Sequence, residues 1–146
     1  MEMNGSHVIP ADRETVWKAL NDPDALKACI PGCKELEMKS PTNMAAVVVT
    51  KIGPVKATFK GEVFLENLNP PESYTISGEG KGGIAGFAKG GADVKLADAD
   101  GGTELTYVVK AKVGGKLAQL GSRLIDSTAK KLAGEFFDNF SKKVGG

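Results

Sequence analysis

A glycine motif is the first feature of this sequence that could do chemistry. Residues 78–83 read G-E-G-K-G-G, which matches the G-x-G-x-x-G pattern of dinucleotide-binding proteins, and Asp98 follows about 20 residues later. The motif binds a pyrophosphate only where a strand leads into a helix, because the helix N-terminus supplies the amide donors. Here it is followed by IAGFAKGGADVKL, which is broken by glycine and then strand-like. We therefore predict bent strands, with space above the sheet face that carries Gly78, Gly80, Gly82, Gly86 and Gly90.

Nucleophiles, bases and metal ligands are sparse. Cys29 and Cys33 have the spacing C-x-x-x-C, not the C-x-x-C of redox proteins, which favours structural thiols. His7 is the one histidine, so the ligands are too few for a four-ligand zinc site, and its place on a strand face favours a core or rim residue. The carboxylates fall on strand edges, turns and polar helix faces. The sequence predicts no catalytic residue, no metal and no cofactor.

The totals fit one ordinary domain spanning residues 1–146. Charged residues make up 25% and hydrophobic ones 41%, and the net charge of +1 gives no indication of nucleic acid. The longest apolar run, 44–49, is far shorter than the roughly 20 residues of a membrane span. No signal peptide is visible, so a cytoplasmic location is expected.

The elements that must position any site follow one another simply. Residues 1–9 alternate loosely and predict a strand that ends at Pro10, after which Asp12 is a candidate N-cap for a short helix. Asp22 and Pro23 start a second brief helix. From 34 to 114 the pattern changes to about six strands joined by turns, with the clearest alternation in 55–65 and a strong hairpin signal, DADGG, at 98–102.

The last third of the chain predicts one long helix over residues 115–143. It contains no proline, and at about 1.5 Å per residue it would be roughly 43 Å long, enough to cross a small domain. Gly121 and Gly134 are unfavourable in a helix interior and suggest a close approach or a bend there. An antiparallel sheet with one dry face needs a cover, and only this helix is long enough. The expected fold is therefore α+β, a curved antiparallel seven-stranded sheet gripping a C-terminal helix, with two short helices after the first strand.

The chain also resembles a known family, that of CoxG, a subunit of carbon monoxide dehydrogenase. The resemblance keeps the order and spacing of segments over nearly the whole chain, and its most specific parts are the IPGC turn at 30–33 and VGGKLAQLG at 113–121. The other matching segments read PADRETVWKALNDPDALKAC, KIGPVKATFKGEV and GGIAGFAKGGADVKL.

This resemblance implies the START-like (SRPBCC) superfamily and its helix-grip fold, in which hydrophobic ligands lie between helix and sheet. It also implies a link to molybdenum-containing carbon monoxide dehydrogenases, either by attaching the enzyme to the membrane or by ferrying quinone. Longer members continue into a hydrophobic C-terminal segment, whereas this sequence ends at Gly146, so the membrane contact expected here is peripheral.

The expected site lies between the sheet and the first half of the terminal helix and holds a quinone or lipid tail. Tyr74 and Tyr107 are the expected hydrogen-bond donors to a headgroup, and Gly121 is expected to bring backbone against the ligand. Three alternatives stay open: simple core packing of these residues, a START-like cyclase, dehydratase or hydrolase, and an adaptor without ligand. The predicted ligand-binding residues are Phe59, Val63, Tyr74, Ile76, Leu105, Tyr107, Val109, Leu117, Leu120, Gly121, Leu124 and Thr128.

Overall fold

The computed structural model describes residues 1–145 as one α+β unit in the order β-α-α-β-β-β-β-β-β-α-α. A single 3₁₀ turn, Gly83–Ala85, lies between the fifth and sixth strands. The elements are β1 Glu2–Ile9, α1 Arg13–Leu20, α2 Pro23–Cys29, β2 Cys33–Ser40, β3 Asn43–Ile52, β4 Val55–Asn69, β5 Ser73–Lys81, β6 Phe87–Ala99, β7 Gly102–Gly114, α3 Lys116–Gln119 and α4 Ser122–Gly145.

The seven strands form one antiparallel sheet in the order β1-β7-β6-β5-β4-β3-β2. Strands β2 to β7 are consecutive hairpins, and β1 returns to pair with β7, placing Gly5 opposite Tyr107. The predicted fold class, a helix-grip arrangement with two short helices after the first strand, is confirmed.

Both short helices begin where the sequence predicts. The Asp12 carboxylate accepts a hydrogen bond from the Thr15 backbone N–H at 2.8 Å and caps α1. Hydrogen bonding by the Thr15 side chain, and then by this backbone N–H, lowers the pKa of Asp12. Asp22 accepts from the Asp24 N–H at 3.0 Å, and Pro23 follows as the first residue of α2.

The core fills one end of the space between sheet and helices. Side chains at alternate strand positions point to the same face, and on the inner face they meet α1, α2 and the second half of α4. The buried members include Ile9, Val16, Leu20, Leu26, Cys29, Met44, Leu65, Tyr74, Val94, Leu96, Leu105 and Phe140.

The prediction of a single helix over 115–143 is wrong in one respect, because the helix is interrupted at Gly121. Helix α3 ends after one turn, Gly121 has φ +90°, and α4 starts at Ser122. A left-handed residue cannot continue a right-handed helix, so Gly121 acts as the stop between two helices. Gly134, by contrast, lies inside α4 as predicted.

Two contacts near its ends hold α4 in place. At its first turn the Leu124 side chain lies against Gly53, in the turn between β3 and β4. Near its C-terminus Phe140 is fully buried, and the Asn139 side-chain amide donates to the Cys29 carbonyl oxygen at 3.1 Å. The helix therefore bridges the sheet and is attached at both ends.

The two glycines of this region give a matched test of the break. A methyl group added at either position meets no other atom within 4 Å, so only backbone conformation distinguishes them. Gly121→Ala forces alanine into the left-handed region and should lower the free energy of unfolding by about 1–2 kcal/mol. Gly134→Ala, in a regular helix, should raise it by about 1 kcal/mol. Urea unfolding measures both, and an equal effect of the two substitutions would contradict the break at Gly121.

Candidate functional site

The middle of the inner face lacks large side chains. Along one row of the sheet Ala111 faces Gly90, which faces Gly78, and along the next Ala88 faces Gly80, which faces Gly61. Neither glycine nor alanine can reach far from the backbone, so these rows leave room above them.

An apolar pocket of about 350 Å³ occupies this room. Larger residues at its edges, Val48, Phe59, Val63, Ile76 and Val109, form its walls. The remaining inward-facing residues are small: Ala46, Gly61, Gly78, Gly80, Ala88, Gly90, Ala92 and Ala111.

No inward-facing residue of this pocket carries a charge. Glu62, Glu79 and Lys89 contribute to its wall, but all three are exposed and sit at strand positions that alternate with the inward ones. Their side chains therefore point to the outer face. The inward-facing residues of the described pocket therefore offer apolar contact, and none of them is titratable.

The glycines of the pocket floor are not equivalent. A methyl group on Gly90 would collide with the Lys110 carbonyl oxygen, so close approach of backbones requires glycine there. On Gly80 it would lie 3.9 Å from the Phe59 Cβ, which is an ordinary contact, and Gly80 has no left-handed backbone. Local structure does not require glycine at position 80, whereas an open pocket does.

Phe59 lies at one end of the pocket, next to the loop between β5 and β6. The ring of Phe59 lies 2.6 Å from where a Cβ on Gly82 would be, so the ring packs directly over the start of this loop. Gly80 and Ala88, which face each other at the loop's base, both line the pocket.

Four of the residues predicted to bind ligand line this pocket: Phe59, Val63, Ile76 and Val109. Leu105 and Leu117 are each 1% exposed and belong to packed regions outside it. On the helices, Leu120, Leu124 and Thr128 are half-buried and are not among its lining, and Gly121 is exposed with open space beside it. The expected contact between the Gly121 backbone and a ligand stays a prediction, and Gly121 does not line this pocket.

The two tyrosines lie one row beyond the pocket. Tyr107 and Tyr74 both face Val94 from opposite sides, and the next row of the same face holds Val109, Ala92 and Ile76. Tyr74 is 4% exposed and packs edge-on against Trp17, with ring centroids 5.2 Å apart. Burial raises the pKa of the Tyr74 hydroxyl well above its ordinary value, so it stays protonated at neutral pH.

An aromatic stack fills the gap beside Tyr107. His7 stacks on Phe137 of α4 with ring centroids 4.2 Å apart, and Tyr107 stacks on the same ring at 5.3 Å. Phe136 and Phe140 extend the cluster along the helix. His7 is a half-buried packing residue, as predicted, and this stack packs the C-terminal half of α4 against β1 and β7.

The sequence correctly predicted that Gly78, Gly80 and Gly90 leave space above the sheet, but it wrongly predicted the same for Gly82 and Gly86. Those two belong to the β5–β6 loop and not to the pocket. The alanines at 46, 88, 92 and 111 were missed. For Ala88 and Ala111 the signal was present, since exposed residues flank each of them in its strand, whereas Ala46 lies between the apolar Ala45 and Val47.

The G-x-G-x-x-G match does not form a dinucleotide site. Its first residues lie in β5, and Gly83 opens a one-turn 3₁₀ segment that leads into β6. No helix N-terminus of the required length follows it. The interpretation as bent strands is confirmed.

A second, larger depression of about 890 Å³ lies on the outer face of β2 to β6. Its walls carry Glu35, Glu37, Lys60, Lys81 and Lys89, and Lys81 pairs with Glu79 at 3.8 Å. An apolar ligand there would cover charged groups, which is costly. The smaller inner pocket is the better candidate for an apolar ligand.

Within residues 1–145, no cluster of three histidine, cysteine or carboxylate side chains could hold a metal ion. The same residues contain no helix with the length and apolar character of a membrane span.

The family model for the carbon monoxide dehydrogenase subunit CoxG matches residues 5–145 of the chain. A conserved protein from Geobacillus kaustophilus of known crystal structure is 33% identical, with a TM-score of 0.92 over 99% of this chain and 95% of that one. None of the curated proteins matches the sequence.

More distant solved structures share the fold alone. CV1439 from Chromobacterium violaceum is 16% identical, with a TM-score of 0.73 over 99% of this chain and 98% of that one. Ara h 8.0201 is 15% identical, with a TM-score of 0.68 over 99% of this chain and 97% of that one.

The cysteines give a test of the packing around α2. Both are free thiols, and burial raises the pKa of each, which lowers the thiolate fraction at neutral pH. Cys29 is 1% exposed and should resist iodoacetamide until the protein unfolds. Cys33, which is half-buried, should react more slowly than glutathione at pH 8 and speed up above pH 9.

Mass spectrometry of the alkylated protein across pH, with Cys33→Ser as control, measures both rates. Rapid labelling of Cys29 in the folded protein would contradict the packing described here.

Proposed function

The chain belongs to the CoxG family of carbon monoxide dehydrogenase subunits, and we propose that it is a non-catalytic carrier of a quinone or lipid for a molybdenum hydroxylase of the carbon monoxide dehydrogenase type. The helix-grip fold it shares with Ara h 8.0201 is a hydrophobic ligand-binding fold. The carrier role, the ligand's identity and the partner enzyme are the parts proposed.

The observation that carries the proposal is the apolar pocket on the inner face. A folded sheet normally fills its dry face with large side chains, because protein interiors are close-packed. Here the centre of that face is glycine and alanine, and about 350 Å³ remains open above it. Leaving apolar surface unpacked costs stability, and a bound apolar molecule would recover it.

The size and lining of the pocket define the ligand class. Its volume is at the lower end of the roughly 300–1,000 Å³ usual for small-molecule sites, which suits a quinone ring or a length of acyl chain. Walls of valine, isoleucine and phenylalanine favour hydrocarbon over sugar or phosphate. A quinone and a lipid tail both fit this volume and this apolar lining.

We propose that the row of residues bordering the pocket recognises the ligand's headgroup. Tyr74 and Tyr107 lie next to Ile76 and Val109 on the same face, and the Tyr74 hydroxyl is a protonated donor at neutral pH. A carbonyl oxygen at that edge of the pocket would accept a hydrogen bond from such a phenol.

The residues that line the pocket also favour a carrier function over the two alternative functions. A START-like cyclase, dehydratase or hydrolase needs ionisable groups that converge on the substrate, and the inward residues of this pocket are uncharged. An adaptor without ligand would have a collapsed core. Neither alternative is favoured by an observation on the described residues. A cytoplasmic location with peripheral contact at the membrane follows from the proposed role.

Extraction of the purified protein is the direct test. The protein purified without detergent should release a quinone or lipid into organic solvent, identified by mass spectrometry at a ratio approaching one per chain. A protein that releases none, and binds none when offered menaquinone, ubiquinone or fatty acid, would exclude the carrier function.

A pocket-filling variant locates the ligand. Gly80→Leu projects a side chain into the pocket without meeting backbone, so it should lower bound ligand at least about tenfold while stability is kept or raised, since glycine is unfavourable in strands.

Glu79→Leu is its control, because it adds the same side chain to the outer face one residue away. Ligand content equal in both variants would place the ligand elsewhere.

A further inference from the structure

The sheet has a basic end and an acidic end. The basic end contains the β3–β4 turn, the β5–β6 loop and the β7–α4 connection, and residues 49–60, 79–89 and 110–123 there include nine basic residues against one acidic. At the opposite end, residues 10–24, 66–75, 93–104 and 142–145, the last of which pack on Pro10, include ten acidic residues against five basic. The chain's small net charge therefore conceals a strong electrostatic polarity along the strands.

Cross-strand pairing concentrates the positive charge at the basic end. Three register positions set lysine directly opposite lysine, all at this end: Lys51 with Lys56, Lys60 with Lys81, and Lys89 with Lys112. Like charges directly opposite destabilise a sheet. Lys81 pairs with Glu79, and the other five have no carboxylate within 4 Å in residues 1–145. An anionic partner would offset this repulsion.

The most exposed large apolar side chain in the described chain sits at the centre of the basic end. Ile84, at the apex of the β5–β6 loop, is 87% exposed, and Phe87 at the loop's end is 38% exposed. The loop is held by backbone hydrogen bonds, including Gly82 N–H to Gly86 O at 2.8 Å. An apolar apex set among lysines matches the interface of an anionic bilayer, in which headgroups attract lysine and the acyl boundary accepts isoleucine.

We propose that the β5–β6 loop is a membrane-docking tip that inserts Ile84 into an anionic lipid surface while the surrounding lysines contact headgroups. The same loop adjoins the end of the apolar pocket that Phe59, Gly80 and Ala88 form, with the Phe59 ring beside Gly82. Docking therefore brings the pocket against the bilayer, so that ligand passes between them without crossing water. The docking step stands on its own, and the transfer step rests on the proposed carrier function.

Vesicle flotation tests the docking step. The protein should bind phosphatidylcholine vesicles that contain phosphatidylglycerol, should not bind phosphatidylcholine alone, and should dissociate in about 1 M salt, where screening acts within about 3 Å. Ile84→Ser should weaken binding about tenfold, with Val108→Ser as control, since Val108 is exposed on the outer face of β7. Both sites are exposed, so folding is expected to be unaffected.

Charge reversal tests the lysines. Each lysine near an anionic membrane contributes about fivefold in affinity, so Lys81→Glu with Lys112→Glu should weaken binding at least about tenfold. Lys39→Glu with Lys95→Glu changes the net charge equally away from the basic end and should leave binding unchanged.

The outcomes separate docking from carriage. Gly80→Leu should lose ligand but keep vesicle binding, and Ile84→Ser should keep ligand but slow its transfer between vesicles. Absence of vesicle binding by the unmodified protein, or binding unaffected by Ile84→Ser, would overturn the docking tip. An acidic protein surface would then be the favoured partner of the basic end.

Discussion

The arrangement depends on the small size of the residues at the centre of the inner face. Two rows of glycine and alanine across β4 to β7 leave space above the sheet, and no residue of the terminal helix lines that space. Helix and sheet meet only where side chains are long enough to span the gap. The pocket is thus a consequence of side-chain length at a few strand positions, and the backbone needs no special shape to create it.

Contact at the far end of α4 keeps that gap from collapsing. Phe137 stacks on His7 and Tyr107, Phe140 is fully buried, and Leu124 holds the first turn against Gly53. Burying a phenylalanine contributes about 1.5–3 kcal/mol, so the helix is fixed by its aromatic half. Its N-terminal half is held at the first turn by Leu124 and contributes no residue to the pocket lining.

Alternation along the strands made most of the sheet predictable. The run 55–65 and the hairpin at 98–102 lie where expected, and the inward set Phe59, Val63, Ile76 and Val109 follows from period two alone. Strands β5 and β6 continue through glycines that have little strand propensity, because hydrogen bonds from β4 and β7 hold them. Only the fold supplies those neighbours, so local sequence could not show these strands in full.

The helix side of the site was beyond such reasoning. Whether Leu120 or Thr128 reaches a pocket depends on the height of the helix above the sheet, which the distant aromatic cluster sets. The helix stops at Gly121 because this residue has a positive φ, and a sequence rich in helix-forming residues does not reveal that angle. Periodicity gives the direction in which a side chain points, whereas the distance to its neighbour is a property of the whole fold.

The three lysine pairs imply a conflict between thermal stability and the positive charge needed for the proposed docking. A protein engineer seeking higher thermal resistance would replace one lysine of each pair by glutamate, since opposite charges across strands stabilise a sheet by about 0.2–1 kcal/mol per pair. Each such change would also diminish the positive field at the basic end. Natural proteins are rarely near their stability optimum, so such substitutions are available, but under the proposed docking each would weaken binding, and improved variants should be sought at other positions.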